Sequence, residues 1–332
     1  MASIAHGGRL SEARRLFPNA PEPWLDLSTG INPQPYPLPA LTPECFTRLP
    51  EPEQVEALQS VAASAYGVVD PAMVVAAPGT QILIDLVPRL WPIRPVAVLG
   101  PTYAEHANAW NKAGALVATV STFEALSDAA VAVLCNPNNP DGRRFSSGRL
   151  LSLADALAAR GGILVVDEAF ADLERGDFSL ANALPHPAII ILRSFGKTYG
   201  LAGARLGFAL AAPERAALIR EALGPWAVSG PAIAIGQVAL NDRAWLAATA
   251  KRLAQDTREL DACLSNHGLC VIGGTQLFRL ASAENAPAIF SQLGRAGIFV
   301  RRFSGQPTWL RFGQPGNATH LQRLQAALSS QA

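Results

Sequence analysis

From about residue 73 the chain repeats one pattern: a short apolar run, interrupted by a polar residue only at Thr119, then a helix-length amphipathic stretch. The apolar runs are Met73–Ala77, Val96–Leu99, Leu116–Val120, Val131–Cys135, Ile163–Val166, Ala188–Leu192 and Leu206–Ala211. Gln81–Leu90, Tyr103–Ala113 and Ser146–Ala159 are the amphipathic stretches between them. A run that is apolar at every position has no face for water, so each predicts a strand covered above and below. Alternation with helices predicts an α/β fold with a seven-stranded, mostly parallel sheet.

After Pro213 the pattern changes. Pro231–Leu240 and Asp242–Asn266 predict helices. Short strands follow at Leu269–Ile272, Gln276–Ala281, Ile298–Val300 and Trp309–Phe312, with helices at Glu284–Ala296 and Ala318–Ser329. This tail reads as a smaller α+β unit. Many of the 26 prolines cluster between Pro18 and Pro52 and predict an extended N-terminal segment rather than early helices. Neither end could bury a full core alone. The expected division is therefore residues 1–40 joining the C-terminal domain 226–332, with 41–225 forming the large domain.

Composition removes several classes of function. Apolar residues are 49% of the 332 and charged residues 16%, which suits a sizeable buried core and not a disordered chain. Lys and Arg number 27 against 26 Asp and Glu, so there is no basic surplus to neutralise a phosphate backbone. Nucleic acid is not an expected partner. No apolar run is long enough to span a membrane, and no basic-then-apolar leader is visible, so a cytoplasmic protein is expected. Cys45, Cys135, Cys263 and Cys270 form no CxxC pair, which argues against a structural metal site or a disulfide framework. Among the basic residues only Lys112, Lys197 and Lys251 are lysines. Each is worth inspecting for that reason.

In open parallel sheets, ligands bind beyond the carboxyl ends of the strands, so the chemistry is sought in the loops there. Pro78-Gly79-Thr80-Gln81 follows the first run and opens a helix, which makes either an anion site or a plain turn with Thr80 as the N-cap. Asn136-Pro137-Asn138-Asn139-Pro140-Asp141-Gly142 follows the fourth, and three asparagines between prolines exceed what a turn needs. Asp167-Glu168-Ala169-Phe170 ends the fifth with two acids after an apolar strand, where a carboxylate must be paired. Ser194-Phe195-Gly196-Lys197-Thr198-Tyr199-Gly200 follows the sixth. It places one of the three lysines among glycines, where a desolvated amine could act as a nucleophile. Lys112 and Lys251 sit on predicted helices beside polar residues and read as surface charges.

In this order and spacing, Asn-Pro-Asn-Asn-Pro-Asp-Gly, Asp-Glu-Ala-Phe and Ser-Phe-Gly-Lys-Thr-Tyr-Gly-Leu-Ala-Gly-Ala-Arg resemble fold type I pyridoxal-phosphate enzymes. The similarity is greatest to the histidinol-phosphate aminotransferase-like branch and covers nearly the whole chain. It implies pyridoxal 5'-phosphate as cofactor, with Lys197 as the residue that binds it covalently. It also implies Asp167 at the ring nitrogen, Asn139 at the ring's phenolic oxygen and Tyr103 stacked on the ring. Gly79, Thr80, Gln81, Ser194 and Arg205 would hold the cofactor phosphate. Arg311, an arginine within the apolar strand Trp309-Leu310-Arg311-Phe312, would clamp a substrate anion.

Two segments narrow the branch. His6-Gly7-Gly8 and the later Ser28-Thr29-Gly30-Ile31-Asn32-Pro33 resemble threonine-phosphate decarboxylases of cobalamin biosynthesis. Phe170 stands where many aminotransferases carry tyrosine, which agrees with that branch. The implied reaction is decarboxylation of L-threonine O-3-phosphate, a small phosphorylated amino acid, to (R)-1-aminopropan-2-yl phosphate. Histidinol-phosphate aminotransferase, or a catalytically idle binding module, is the alternative. His6, Gly7, Gly8, Asn32, Arg311 and Arg301 are the candidate substrate residues. Arg302 competes with Arg301, since strand alternation sends the two to opposite faces. A homodimer is implied too, although Leu49 replaces the tyrosine that in many relatives reaches the neighbouring subunit's cofactor.

Overall fold

The computed structural model describes residues 6–330, and the chain divides into two compact units. The strands in chain order are β1 (Leu25–Leu27), β2 (Val74–Ala77), β3 (Val96–Leu99), β4 (Val117–Val120), β5 (Val131–Cys135) and β6 (Ile163–Asp167). They continue with β7 (Ile189–Ser194), β8 (Gly207–Ala211), β9 (Cys270–Thr275), β10 (Phe278–Ser282), β11 (Ile298–Phe303) and β12 (Gln306–Gly313).

One unit comprises Tyr36–Asn139 and Arg144–Trp245. Its seven-stranded sheet runs in the order β2-β8-β7-β6-β5-β3-β4. All neighbours from β4 to β7 pair in parallel, and β8 lies antiparallel between β2 and β7. The expected α/β architecture is therefore present. The apolar runs serve two cores at once, because side chains alternate across a pleated strand. Leu134, Leu164, Val166, Ile189 and Ile191 enter the core on one side. Val131, Val133, Val165, Ile190 and Leu192 enter the core on the other. The register sets Cys135 beside Asp167 and Asp167 beside Leu192, so the carboxyl ends of β5, β6 and β7 are adjacent.

Two expectations for this unit are corrected. The run Leu116–Val120 predicts a strand covered on both faces, but β4 is the sheet edge and is only half-buried. Leu116 is exposed. The proline-rich start also hides a helix. Pro52–Tyr66 is helical because proline is tolerated at the first helical position, and Glu51 and Gln54 cap it reciprocally. The helix Gly230–Asn241 packs on it, which keeps residues 226–245 in this unit.

The other unit takes the chain up to Pro35, the short segment Pro140–Arg143 and the chain from Leu246 onward. Its sheet runs β1-β11-β12-β10-β9, with β1 parallel to β11 and the other pairs antiparallel. Leu27, Leu293, Phe312 and Leu324 lie in its core. A helix at Leu10–Leu16, ahead of the proline cluster, and a single turn at Glu44–Thr47, within it and in the larger unit, are further early helices that proline content does not announce. Among the described residues no helix is long and apolar enough to cross a membrane. Ile191 is completely buried in β7, so Ile191→Ala should lower stability by about 3 kcal/mol. A urea midpoint shifted at unchanged slope would verify this.

Candidate active site

Asp167 is the last residue of β6, and only 6% of it is exposed. A carboxylate so placed needs partners. One oxygen accepts from the Ala169 backbone N–H at 3.0 Å, and the other lies 2.9 Å from His106 Nε2. Cys135 Sγ is 3.9 Å from that second oxygen. Burial by itself would lower the pKa of the His106 imidazole. The Cys135 sulfur and the Asp167 carboxylate outweigh it and carry the pKa up to about 10.

Tyr103 precedes the helix Glu105–Lys112 that carries His106, and the two rings are 6.0 Å apart and nearly perpendicular. Tyr103 Oη donates to Gln81 Oε1 at 3.1 Å, and Gln81 Nε2 donates to Asp85 at 3.2 Å. The Gln81 carboxamide therefore steadies Tyr103. What Gln81 can offer an anion is its backbone N–H in the first helical turn. Gly79, not Thr80, is the N-cap of the helix Thr80–Leu90. Its φ is +87°, and a Cβ there would lie 2.5 Å from an Arg205 nitrogen. Glycine at 79 thus leaves the helix N-terminus and the guanidinium together, a pairing suited to a phosphate. Arg205 is exposed and holds a left-handed backbone at φ +51°.

The three asparagines divide their work. Asn136 Nδ2 donates to the Phe145 and Phe178 carbonyls, and its oxygen accepts from Phe145 N–H. Asn138 accepts from Thr102 Oγ1 at 2.7 Å and donates to the Pro101 carbonyl. Both are buried staples of the loop. Asn139 is half-buried beyond them. Ser194 is buried at the end of β7, and Lys197 follows in the one-turn helix Phe195–Thr198. Lys197 Nζ stands 5.1 Å from the centre of the Phe170 ring, three residues past Asp167.

The remaining candidates belong to the other unit. Arg301 on β11 faces Arg311 on β12 in the antiparallel register, so both project from one side of the sheet. Arg302 lies on the opposite side, with its guanidinium 3.8 Å above the Phe290 ring. The pairing singles out Arg301 as the neighbour of Arg311. Arg311 is buried, and burial followed by the like charge of Arg301 pushes its pKa down to about 9 against the pull of Asp26. Two cations thus stand side by side on one face, with Asp26 near enough to act on Arg311. Arg311 donates to the Ser28 carbonyl at 2.8 Å. Ser28 Oγ accepts from Gly8 N–H at 2.7 Å and donates to Asp26. A Cβ on Gly7 would fall 2.3 Å from the Ser28 carbonyl oxygen, so only glycine permits this approach. The His6-Gly7-Gly8 segment is thereby fastened to the strand end bearing Ser28. Asn32 is buried, and its side-chain oxygen accepts from Gln34 N–H and Arg252.

Comparison with known proteins identifies the family and the fold. The model of the family "Aminotransferase class I and II" matches residues 34–328. The chain belongs to that family. A threonine-phosphate decarboxylase from Sinorhizobium sp is 42% identical over 330 residues, covering 99% of this chain and 98% of that protein. Another from Pseudomonas aeruginosa is also 42% identical, covering 98% and 97%. The crystal structure of histidinol-phosphate aminotransferase from Sinorhizobium meliloti, in complex with pyridoxal-5'-phosphate, superposes with a TM-score of 0.80 at 21% identity. It covers 99% of this chain and 98% of that chain. At that identity the likeness establishes the fold, the fold type I architecture of aminotransferases.

Sequence reasoning missed His106, Ser28 as a hub, and Arg252. The signal for His106 was available: it lies three residues after Tyr103, one helical turn away. Ser28 and Arg252 carried no such signal, because their partners are distant in sequence. A histidine whose pKa is raised by folding stabilises fully below its unfolded value near 6.5, and that contribution fades as pH rises through about 10. His106→Gln should therefore cost about 3 kcal/mol at pH 6, with the difference from wild type narrowing above pH 10. Chemical denaturation at the two pH values measures this.

Proposed function

We propose that this family member is a pyridoxal-phosphate-dependent threonine-phosphate decarboxylase. It would convert L-threonine O-3-phosphate to (R)-1-aminopropan-2-yl phosphate and carbon dioxide for cobalamin biosynthesis. The observation that carries the reading is the 42% identity, over nearly the full length, to threonine-phosphate decarboxylases from two organisms. The donor set fits the cofactor. A lysine, a buried carboxylate, an aromatic ring and a helix N-terminus beside an arginine suit a flat heteroaromatic aldehyde that bears a phosphate.

When bound, the cofactor supplies an electron sink for the bond broken at the substrate Cα. Lys197 would hold it covalently, and its amine is the group placed to return a proton to the substrate Cα. Asp167, held by His106 and the Ala169 N–H, would keep the ring nitrogen protonated. Tyr103 would cover the ring and Asn139 would donate to its phenolic oxygen. Gly79, Thr80, Gln81, Ser194 and Arg205 would hold the cofactor phosphate. Arg311 and Arg301 take the substrate's anionic groups, aided by His6, Gly7, Gly8 and Asn32.

The active form is a homodimer. Phe46 and Trp226 are both exposed large apolar side chains of the larger unit. Leu38 and Leu49 add exposed apolar surface to the same unit. A monomer would leave this area to water at a cost. Sedimentation equilibrium should give twice the chain mass.

The deciding assay mixes the protein, loaded with pyridoxal phosphate, with O-phospho-L-threonine. Carbon dioxide should appear with no need for a keto acid. Transfer of nitrogen to 2-oxoglutarate in its place would establish an aminotransferase. Borohydride should fix the cofactor on Lys197, and Lys197→Arg should abolish turnover, since arginine does not give up its proton. Arg311→Lys loses the forked pair of hydrogen bonds. Its KM should rise about ten- to a hundred-fold, measured by initial rates.

A further inference from the structure

The one-turn helix that carries Lys197 is too short to be held by its own hydrogen bonds. Its geometry depends on contacts to the rest of the unit, among them the Tyr36 N–H that donates to the Tyr199 carbonyl at 2.8 Å. Below it lies a buried charged cluster that the proposed chemistry does not use. Arg193, on β7, pairs through one nitrogen with Glu168 at 2.7 Å and through another with Asp172 at 2.7 Å. Glu168 also accepts from Ser179 Oγ at 2.8 Å and from Leu180 N–H at 3.0 Å. The second oxygen of Asp172 accepts from Thr198 Oγ1 at 2.9 Å. Glu168, Arg193 and Thr198 are each at most 5% exposed.

We propose that the Glu168–Arg193–Asp172 cluster is a positioning device that sets the Lys197 amine through the hydroxyl of Thr198. The inference rests on the reading of Lys197 as the cofactor-binding residue. Its two ends are what point to this role. Glu168 is bonded in sequence to Asp167, and Thr198 is bonded to Lys197. The chain of contacts therefore ties the acid at the end of β6 to the amine after β7. A buried ion cluster contributes little net stability compared with apolar residues of the same shape, because desolvation offsets the attraction. It does, however, specify one geometry. Each charge here has a directional partner, and Thr198 is the only member within one residue of Lys197. An aromatic stack braces the same turn. Phe195 and Tyr199 lie 4.4 Å apart, nearly parallel, and Tyr199 stacks in turn on Trp245.

Thr198→Val removes the hydroxyl and keeps the shape; Thr198→Ser keeps the hydroxyl. In the loaded enzyme Thr198→Val should lower kcat about ten-fold with KM nearly unchanged, and Thr198→Ser should restore kcat. A second readout needs no cofactor. In the apoprotein, acylation of the three lysines is followed by peptide mass spectrometry. Thr198→Val and Asp172→Asn should each change the Lys197 rate by about three-fold or more, with Lys112 and Lys251 unaltered as internal controls. An unaltered Lys197 rate in both variants would overturn the proposal. So would a change of similar size at all three lysines, which marks general loosening. Failure of borohydride to label Lys197 in the wild type would defeat the cofactor reading instead, and the apoprotein rates would still decide the role of the cluster.

Discussion

A carboxylate at the end of a wholly apolar strand is the constraint around which the larger unit is arranged. Asp167 is nearly removed from water, and it persists there because a backbone N–H and the His106 ring meet its two oxygens. The parallel register of β5, β6 and β7 brings the asparagine loop and the lysine turn to the same sheet end. The burial that makes Asp167 costly also strengthens its electrostatic reach. A charged group held there acts on a neighbour with less screening than it would at the surface.

The smaller unit meets a related problem with the opposite sign. Arg301 and Arg311 stand side by side across an antiparallel pair, a like-charge juxtaposition that costs stability and that Asp26 partly offsets at Arg311. Arg311 is also taken out of water. Its Ser28 contact and the glycine segment beside it show how little room the backbone leaves. Both units thus keep charges under conditions that a stability optimum would avoid. That is the usual mark of a site shaped for a ligand.

Much of this was legible from the residues in order. Apolar runs gave the strands, since full burial leaves an unbroken apolar signature. The lysine, the acid and the asparagines fell at strand ends, where ligands collect. Composition was less informative about helices. Proline content pointed to an extended start, yet Pro52 begins a helix of 15 residues. The same residue type opens a helix at its first position and is carried inside Thr80–Leu90 at Pro88, so position and not abundance decides. The edge strand β4 was misjudged because its sequence resembles the central strands and only its place in the sheet exposes it.

What the sequence determined by itself was local: which stretches alternate, which loops carry reactive side chains, and which of three lysines sits among glycines. Tertiary structure alone decided the pairings. Arg301 rather than Arg302 faces Arg311 because of strand register. Two asparagines serve as staples and leave the third half-buried beyond them because of the loop's path. His106 meets Asp167 across 61 residues of chain. Such contacts depend on distances between segments remote in sequence, and only the packing of the sheet fixes those distances.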